Sequence, residues 1–328
     1  MEALEQPEIA VRSLRDPLVG VLVRRLGLAE WDAATAVDHW VRSEQAGKPC
    51  HGLVRALYVV QSGVFGPYDG TPAPAPTRRV VGSHVDGRGH LGYAVMRRLV
   101  EHGCDEAMER GTCVVTGVGV YPSGMLGDWA RMACARGCGV VLTCGSPPRV
   151  ASPGGSAPLL GTNPLCVGLP AGERPFVCDA STSALTHGDL LLARASGAAL
   201  PEHAAVDPYG APTTSVHDAE AGSLLAIGGS HKAFAISMAL ELLTSLGGGV
   251  PGSAKISEHG VFALVLGPAL VAAAGPMLVD GLAGFARAGA RIPGWSSQAR
   301  ADEYVRAGTV PLDATTHGRL LALMEEDA

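Results

Sequence analysis

Gly161-Thr162-Asn163-Pro164 is the stretch on which the reading of this chain turns. Glycine reaches backbone conformations closed to other residues, and Asn before Pro favours a non-helical step, so the four residues read as a turn. Thr162 offers a hydroxyl and Asn163 an amide to a polar ligand. Working outward, Val150 and Pro153-Gly154-Gly155 stand upstream. Downstream come Asp179-Ala180-Ser181-Thr182-Ser183, His187-Gly188-Asp189 and Asp207-Pro208-Tyr209-Gly210-Ala211-Pro212-Thr213-Thr214. Gly228-Gly229-Ser230-His231-Lys232 then opens a long helical pattern, and Gly47-Lys48-Pro49-Cys50-His51-Gly52-Leu53-Val54-Arg55 lies far upstream. Four residues alone are a weak signal, whereas six blocks in this order and spacing are a specific one.

Composition limits the classes open to such a chain. Its 328 residues suit about two domains. With 47% apolar and 17% charged residues it is expected to bury a substantial core. The net charge of −6 and the lack of a basic stripe argue against nucleic acid or an anionic membrane as partner. No uninterrupted apolar run of about 18 residues occurs, so no membrane-spanning helix is expected. The first residues, MEALEQPEIAVRS, are too acidic and polar for a signal peptide. The eight cysteines form no C-x-x-C pair and read as reduced thiols of a cytoplasmic protein, mostly small buried hydrophobes. No H-E-x-x-H, zinc-ligand spacing, Walker A loop or nucleophile elbow is present, so no metal is expected.

Apolar spacing predicts helices through the first 60 residues, as with Leu18, Val21, Leu22 and Leu26. Thr71-Pro72-Ala73-Pro74-Ala75-Pro76 is a stiff connector and the best boundary. Beyond it the pattern alternates: helix over Gly92–Val100, strand over Cys113–Val118, helix over Leu126–Ala135 and strand over Gly139–Thr143. A loop-rich stretch then runs to Ala226. A helix over Ala233–Leu246, a strand over Val261–Leu266 and a tail from Pro311 ending in a helix complete the reading.

His51 is the residue best suited to proton transfer, because imidazole titrates near neutrality. Arg55 comes four residues later, on the same face if a helix begins there, and a guanidinium can grip a carboxylate through two parallel hydrogen bonds. Asp189 could stabilise an imidazolium and set its tautomer if the fold brings it near His51. The alternatives for these residues are a cap or surface histidine and a loop aspartate. Gly87-Arg88-Gly89-His90-Leu91-Gly92 matches the dinucleotide fingerprint G-x-G-x-x-G. The run before it is too polar for a buried first strand and the acidic pair Asp105-Glu106 arrives early, so it reads as a turn leading into a helix.

Taken in order, the six blocks resemble the malate/L-lactate dehydrogenase family over about residues 10–325. That family includes ureidoglycolate and sulfolactate dehydrogenases and cyclic imino-acid reductases. The resemblance implies an α/β fold with a mixed, largely antiparallel sheet in its cofactor domain, distinct from the doubly wound parallel (Rossmann) fold. It implies an NAD(P)-binding domain over residues 77–294, and a helical substrate and dimerisation region from residues 1–76 with about 295–328. A homodimer, a small carboxylate substrate and NADPH or NADH as cofactor are further expectations. Carried over residue by residue, His51 is the acid/base and Arg55 the carboxylate ligand. Cys50 stands where the family has Ser, Asp189 matches a relay Asp, and Thr162 lies beside the substrate. Gly124, Asn163, Asp179, Ser181, Thr182, Lys232, Pro293 and Gly294 match cofactor-contacting segments. Departures are Ser181 for the usual Ala, Ala233 and Ala235 for glycines, Ser297 where some relatives carry Arg, and Pro122 where the family has His. The expected activity is reduction of a small 2-oxo acid or cyclic 2-imino acid at C2. The alternative is a non-redox descendant, a lyase, isomerase or binding protein, motivated by Pro122, Cys50 and Ser181.

Overall fold

A computed structural model describes residues 7–327. In chain order it forms strand β1 (Glu8–Ala10) and helices α1 (Val11–Leu26), α2 (Glu30–Gln45) and α3 (Val54–Gln61). Next come β2 (Thr77–Arg78), β3 (Ser83–Asp86), α4 (Gly92–Arg110), β4 (Thr112–Val118), α5 (Leu126–Ala135) and β5 (Gly139–Cys144). The region expected to be loop-rich holds β6 (Val150–Ala151), β7 (Pro158–Leu160), β8 (Pro164–Leu169), β9 (Phe176–Ser181), α6 (His187–Ser196), β10 (Ala205–Val206), α7 (Val216–Ala221) and β11 (Ser223–Leu224). The chain ends with α8 (His231–Ser245), β12 (Gly260–Leu266), α9 (Pro268–Arg287), α10 (Trp295–Ala307), β13 (Thr309–Pro311) and α11 (Ala314–Glu325).

The main sheet has seven strands in the order β2-β3-β4-β12-β5-β8-β9. Only β3 and β4 run parallel; the other five neighbouring pairs are antiparallel. This is the mixed, largely antiparallel sheet that the resemblance implied. Alternation sorts its side chains. Val115, Val261, Ala263, Val265, Val140 and Leu142 are buried, on the face that α4 and α5 cover. The opposite face carries Val114, Phe262, Leu264, Val141 and Val167, all apolar yet only half-buried, with α8 laid across part of it.

Helices α1 to α3 fold against α4 and α11, and β1 pairs with β13, tying the two chain ends together. Helix α1 stops at Gly27, whose left-handed backbone lets its N–H bond to the Val23 carbonyl. Leu14, Leu18, Leu22 and Trp40 of α1 and α2 share one continuous core with Met96 and Leu99 of α4 and with Val115 and Leu142 of the sheet. Each large side chain so buried contributes roughly 1.5–3 kcal/mol. A second, separate cluster around Val150, Leu185, Leu190 and Leu224 forms the core of a small lobe built on the sheet β10-β11-β6-β7. Sequence reading missed this lobe because two- and three-residue strands leave no periodicity to detect.

Two further corrections apply. Ser83–Asp86 is a strand despite its polarity, so the G-x-G-x-x-G turn does lie between parallel strands and a helix. Two of its three glycines are nevertheless spent on packing: a Cβ at Gly87 would strike the Gly119 carbonyl, and one at Gly92 would lie 2.6 Å from the Pro122 oxygen, while Gly89 serves the turn with φ of 75°. Helix α9 is also long and apolar enough, by length and composition, to cross a membrane (mean hydropathy 1.6). Gly267-Pro268 and Gly275-Pro276 break the run of apolar side chains, so no uninterrupted run of 18 occurs in the sequence.

Candidate active site

A cavity of about 300 Å³ opens where the turn before α3, the α6 N-terminus, the Tyr121–Leu126 segment and the Gly161–Pro164 turn converge. Its lining brings together Cys50, His51, Arg55, Gly124, Thr162, Asp179, Ser181 and Asp189, eight residues singled out from the sequence. Lys48, Tyr121, Arg149 and His187 line it too.

A short 3-10 turn, Pro49–His51, delivers His51 and Cys50. The buried Glu44 anchors the entry into α3, its Oε1 accepting the Leu53 N–H at 2.9 Å. Burial pushes the Glu44 carboxyl up to about 8. Arg55 Nε donates to the Cys50 carbonyl at 2.9 Å, and Arg55 Nη1 lies 3.4 Å from His187 Nδ1. No carboxylate pairs with Arg55 among the described residues. Close approach of α6 depends on Gly188, because a Cβ there would strike the Cys50 carbonyl and lie 2.9 Å from the Arg55 guanidinium.

Two expectations about this corner are corrected. Asp189 was expected to support His51 and raise its pKa. Its Oδ2 instead accepts from Thr186 N–H and Thr186 Oγ1, both at 2.7 Å, closing the capping box of α6. His51 is pushed down to about 3, chiefly by burial and then by the nearby Arg55 cation. Cys50, expected among the catalytic groups, has its thiol pushed up to about 12 by burial and by the facing Asp189 carboxylate. It therefore stays neutral, and its backbone carbonyl does the orienting by holding Arg55.

The opposite wall is densely bonded. Thr162 N–H donates to Ser146 Oγ, and the Thr162 carbonyl accepts from Ser181 Oγ at 2.8 Å and from Thr182 Oγ1 at 3.3 Å. Thr182 Oγ1 also donates to the Asn163 carbonyl at 3.0 Å. Asn163 is fully buried, with φ of 30°, and its amide donates to Ser237. Asn163 and Thr182 thus build the turn instead of facing the cavity. Gly124 has φ of 75°, and a Cβ there would collide with His39 and Tyr93. His39 is buried behind it: its Nε2 accepts the Met125 N–H at 2.9 Å, and its Nδ1 therefore donates to Asp128 Oδ2 at 2.9 Å. Arg42 clamps the same carboxylate. Asp179 Oδ2 accepts the Gly127 N–H at 2.7 Å, while burial pushes its carboxyl up.

Besides Asn163 and Thr182, three more expected cofactor residues lie outside this cavity. Lys232 sits exposed at the start of α8, where Ser230 caps the helix by accepting its N–H at 3.1 Å. Pro293 and Gly294 form a turn against Val177 of β9, and Gly294 opens α10. Beside that turn a surface pocket is lined by Arg174, Arg291, Arg300 and Arg306 against the carboxylates Asp302 and Glu303, so cations outnumber anions, and Lys48 borders both this pocket and the cavity. Sequence reading missed Arg149 because it belongs to no motif; Lys48 stood in a quoted block and Tyr121 beside Pro122, but neither carried a role. His187 stood beside Asp189 in a quoted block but carried no role. Among the described residues no group of three or more His, Cys, Asp or Glu side chains is placed to hold a metal ion.

Comparison with known proteins adds to this geometry. A family profile described as malate/L-lactate dehydrogenase matches residues 11–321. The chain is 31% identical over 247 residues to a (2R)-3-sulfolactate dehydrogenase (NADP(+)) of Chromohalobacter salexigens, covering 74% of this chain and 72% of that one. It is 34% identical over 233 residues to a Delta(1)-pyrroline-2-carboxylate reductase of Ancylobacter novellus, covering 70% and 66%. Its fold superposes with a TM-score of 0.85 on a dehydrogenase from Sinorhizobium meliloti, at 27% identity over 97% of this chain and 98% of that one.

Proposed function

The chain belongs to the malate/L-lactate dehydrogenase family, and from that premise we propose that it reduces a small 2-oxo acid or cyclic 2-imino acid at C2. It is an NAD(P)-dependent oxidoreductase, as the named relatives are. The observation that carries the reading is the juxtaposition of His51 and Arg55 in one small cavity, with no carboxylate on Arg55.

The residues present fit a nicotinamide dinucleotide. The wall opposite Arg55 offers hydroxyl, backbone and apolar groups (Ser123, Ser146, Thr162, Met125, Leu126), suited to a flat carboxamide-bearing ring. Lys48 links it to the arginine-lined pocket beside Gly294, suited to phosphates. When bound, the reduced cofactor supplies the hydride. Arg55 holds the substrate carboxylate and turns C2 toward His51. That anion offsets the Arg55 charge, the main electrostatic brake on protonating His51, so proton uptake accompanies substrate binding. His51 then donates the proton to the carbonyl oxygen or imine nitrogen and returns to its neutral state.

The half-covered sheet face and the exposed Leu242, Leu246, Met277 and Phe285 of α8 and α9 support a homodimer. Eight free cysteines support a reducing, cytoplasmic location. We place the division of labour at residues 77–294 for the cofactor, with residues 1–76 and about 295–328 for substrate and dimer contacts. Calorimetry with NADH and NADPH, followed by a screen of 2-oxo and cyclic imino acids, tests the reading. Binding of neither cofactor at millimolar concentration would overturn it and favour the non-redox alternative, for which Pro122 in the cavity wall speaks. Light scattering in solution tests the dimer.

A further inference from the structure

We infer that Arg149 forms a second anion subsite in the cavity, so that the preferred substrate carries a further carboxylate or sulfonate besides the carboxylate on Arg55. The inference rests on the reductase reading for its chemistry and on the cavity alone for its charge.

Arg149 precedes β6 and is fixed from both sides. Its N–H donates to the Leu160 carbonyl at 2.8 Å, and its carbonyl accepts the Leu224 N–H at 2.7 Å. The backbone is thus clamped between neighbouring strands of the small lobe, and the side chain lines the cavity with Arg55, Tyr121 and His187. Among the described residues its guanidinium has neither a hydrogen-bond acceptor nor an ion-pair partner. Three half-buried arginines elsewhere have a carboxylate, Arg15 with Asp38, Arg42 with Asp128 and Arg136 with Asp105, and Arg98, which has none, lies over the Trp31 ring; Arg149 has neither kind of partner. Arginine keeps its charge in proteins, and burial disfavours an unmatched cation.

The two cavity carboxylates are already engaged, Asp179 by Gly127 N–H and Asp189 by Thr186. His187 cannot supply the second cation, since burial and then Arg149 itself push it down to about 2. Lys48 lies at the border with the arginine-lined pocket, whereas Arg149 belongs to the substrate side with His187. Two guanidiniums in a space of about 300 Å³ match a small molecule with two anionic groups better than one with a single carboxylate.

The test compares oxaloacetate and 3-sulfopyruvate with pyruvate and 2-oxobutyrate, for the parent, Arg149→Gln and Arg149→Lys, using the preferred reduced cofactor. The parent should favour the dianions at least tenfold in kcat/KM, and the two dianions tell carboxylate from sulfonate. In Arg149→Gln the dianion-to-monoanion ratio should fall thirtyfold or more, and Arg149→Lys should recover part of it. A parent that prefers monoanions, or a ratio that moves less than threefold in Arg149→Gln, overturns the inference. Calorimetry separates the two failures. Malonate and succinate should bind the parent at least tenfold more tightly than acetate and propionate, and this margin should vanish in Arg149→Gln. If that margin holds but no keto acid is reduced, the reductase reading fails and the subsite stands; if the margin is absent, the subsite fails.

Discussion

Two histidines twelve residues apart, His39 and His51, face the same cavity wall from opposite conditions. His39 is fully buried in α2, stacked 4.6 Å from Trp129, with both ring nitrogens committed to Asp128 and Met125. His51 ends a short turn and faces the cavity, and among the described residues its ring has no hydrogen-bond partner. Both are pushed below the ordinary histidine range, with burial the first cause. For His39 a carboxylate pulls back against burial, while for His51 the Arg55 cation adds to it. A committed ring can only hold a shape, here the Gly124–Met125 wall. An uncommitted ring beside an unmatched cation waits for an anion before it can carry a proton.

The sharpest way to break this contrast is His51→Ala, which should lower reduction by about 10²- to 10⁴-fold in steady-state kinetics. In the parent, kcat/KM for reduction should fall about tenfold per pH unit across pH 6–9, because the free chain holds His51 neutral. Oxidation of the corresponding hydroxy acid should stay flat over the same range. Parental rates in His51→Ala would show that water or another group supplies the proton.

Asp128→Ala should reveal the opposite character of the His39 region. Removing one partner of a buried charged network costs about 3–5 kcal/mol, to be read by denaturant unfolding. The direction of each shift sets the sign of the pH dependence. The depressed Asp128 carboxyl adds stability above its unfolded value of about 3.9, lost as pH falls through its folded value. The lowered histidines add stability above about 6.5 that is lost below it. At pH 5, His51 alone should cost the parent about 1–2 kcal/mol. The raised Glu44 carboxyl gains stability as pH falls over the same range, so the His51 loss is read as the parent's change from pH 7 to pH 5 minus that of His51→Ala; a difference near zero would contradict the His51 assignment.

Arg55→Ala should reduce kcat/KM by roughly 30- to 1000-fold, about 2–4 kcal/mol at the transition state, while leaving cofactor affinity near the parent value. It should also release the brake on His51, so the fall in reduction rate with pH moves to higher pH. The smallest effect belongs to Asp189→Asn. Weakening the α6 capping box should cost about 1 kcal/mol of stability. The pH profile of reduction should not move; a marked shift would restore Asp189 as a relay to His51.

Legibility in the sequence depended on length and locality. Long periodic elements such as α5 and β12 could be bounded within a residue or so, because packing against one face repeats at every turn or every second residue. The lobe around Val150 and Leu224 could not, since its strands are held by distant neighbours. For the site, ordered blocks located His51, Arg55, Thr162 and Ser181 in one place. They could not say that Asp189 would spend one oxygen, Oδ2, on Thr186, or that Lys232 would sit in solvent at the start of α8. Those outcomes depend on competing local partners that spacing does not encode. Arg149 was invisible because a single arginine before a short strand has no pattern, and its meaning comes only from the absence of a partner in space.

The separation of the molecule into two cores has an evolutionary consequence. The catalytic turn and the bonded wall share the large core, so neither can be exchanged without disturbing the other. Arg149, His187 and Asp189 ride on the small lobe, whose apolar interior is its own. On the roles proposed above, grafting that lobe from a relative would exchange the groups assigned to substrate choice while leaving the proton-donor turn in place, which makes the lobe a separable unit of specificity.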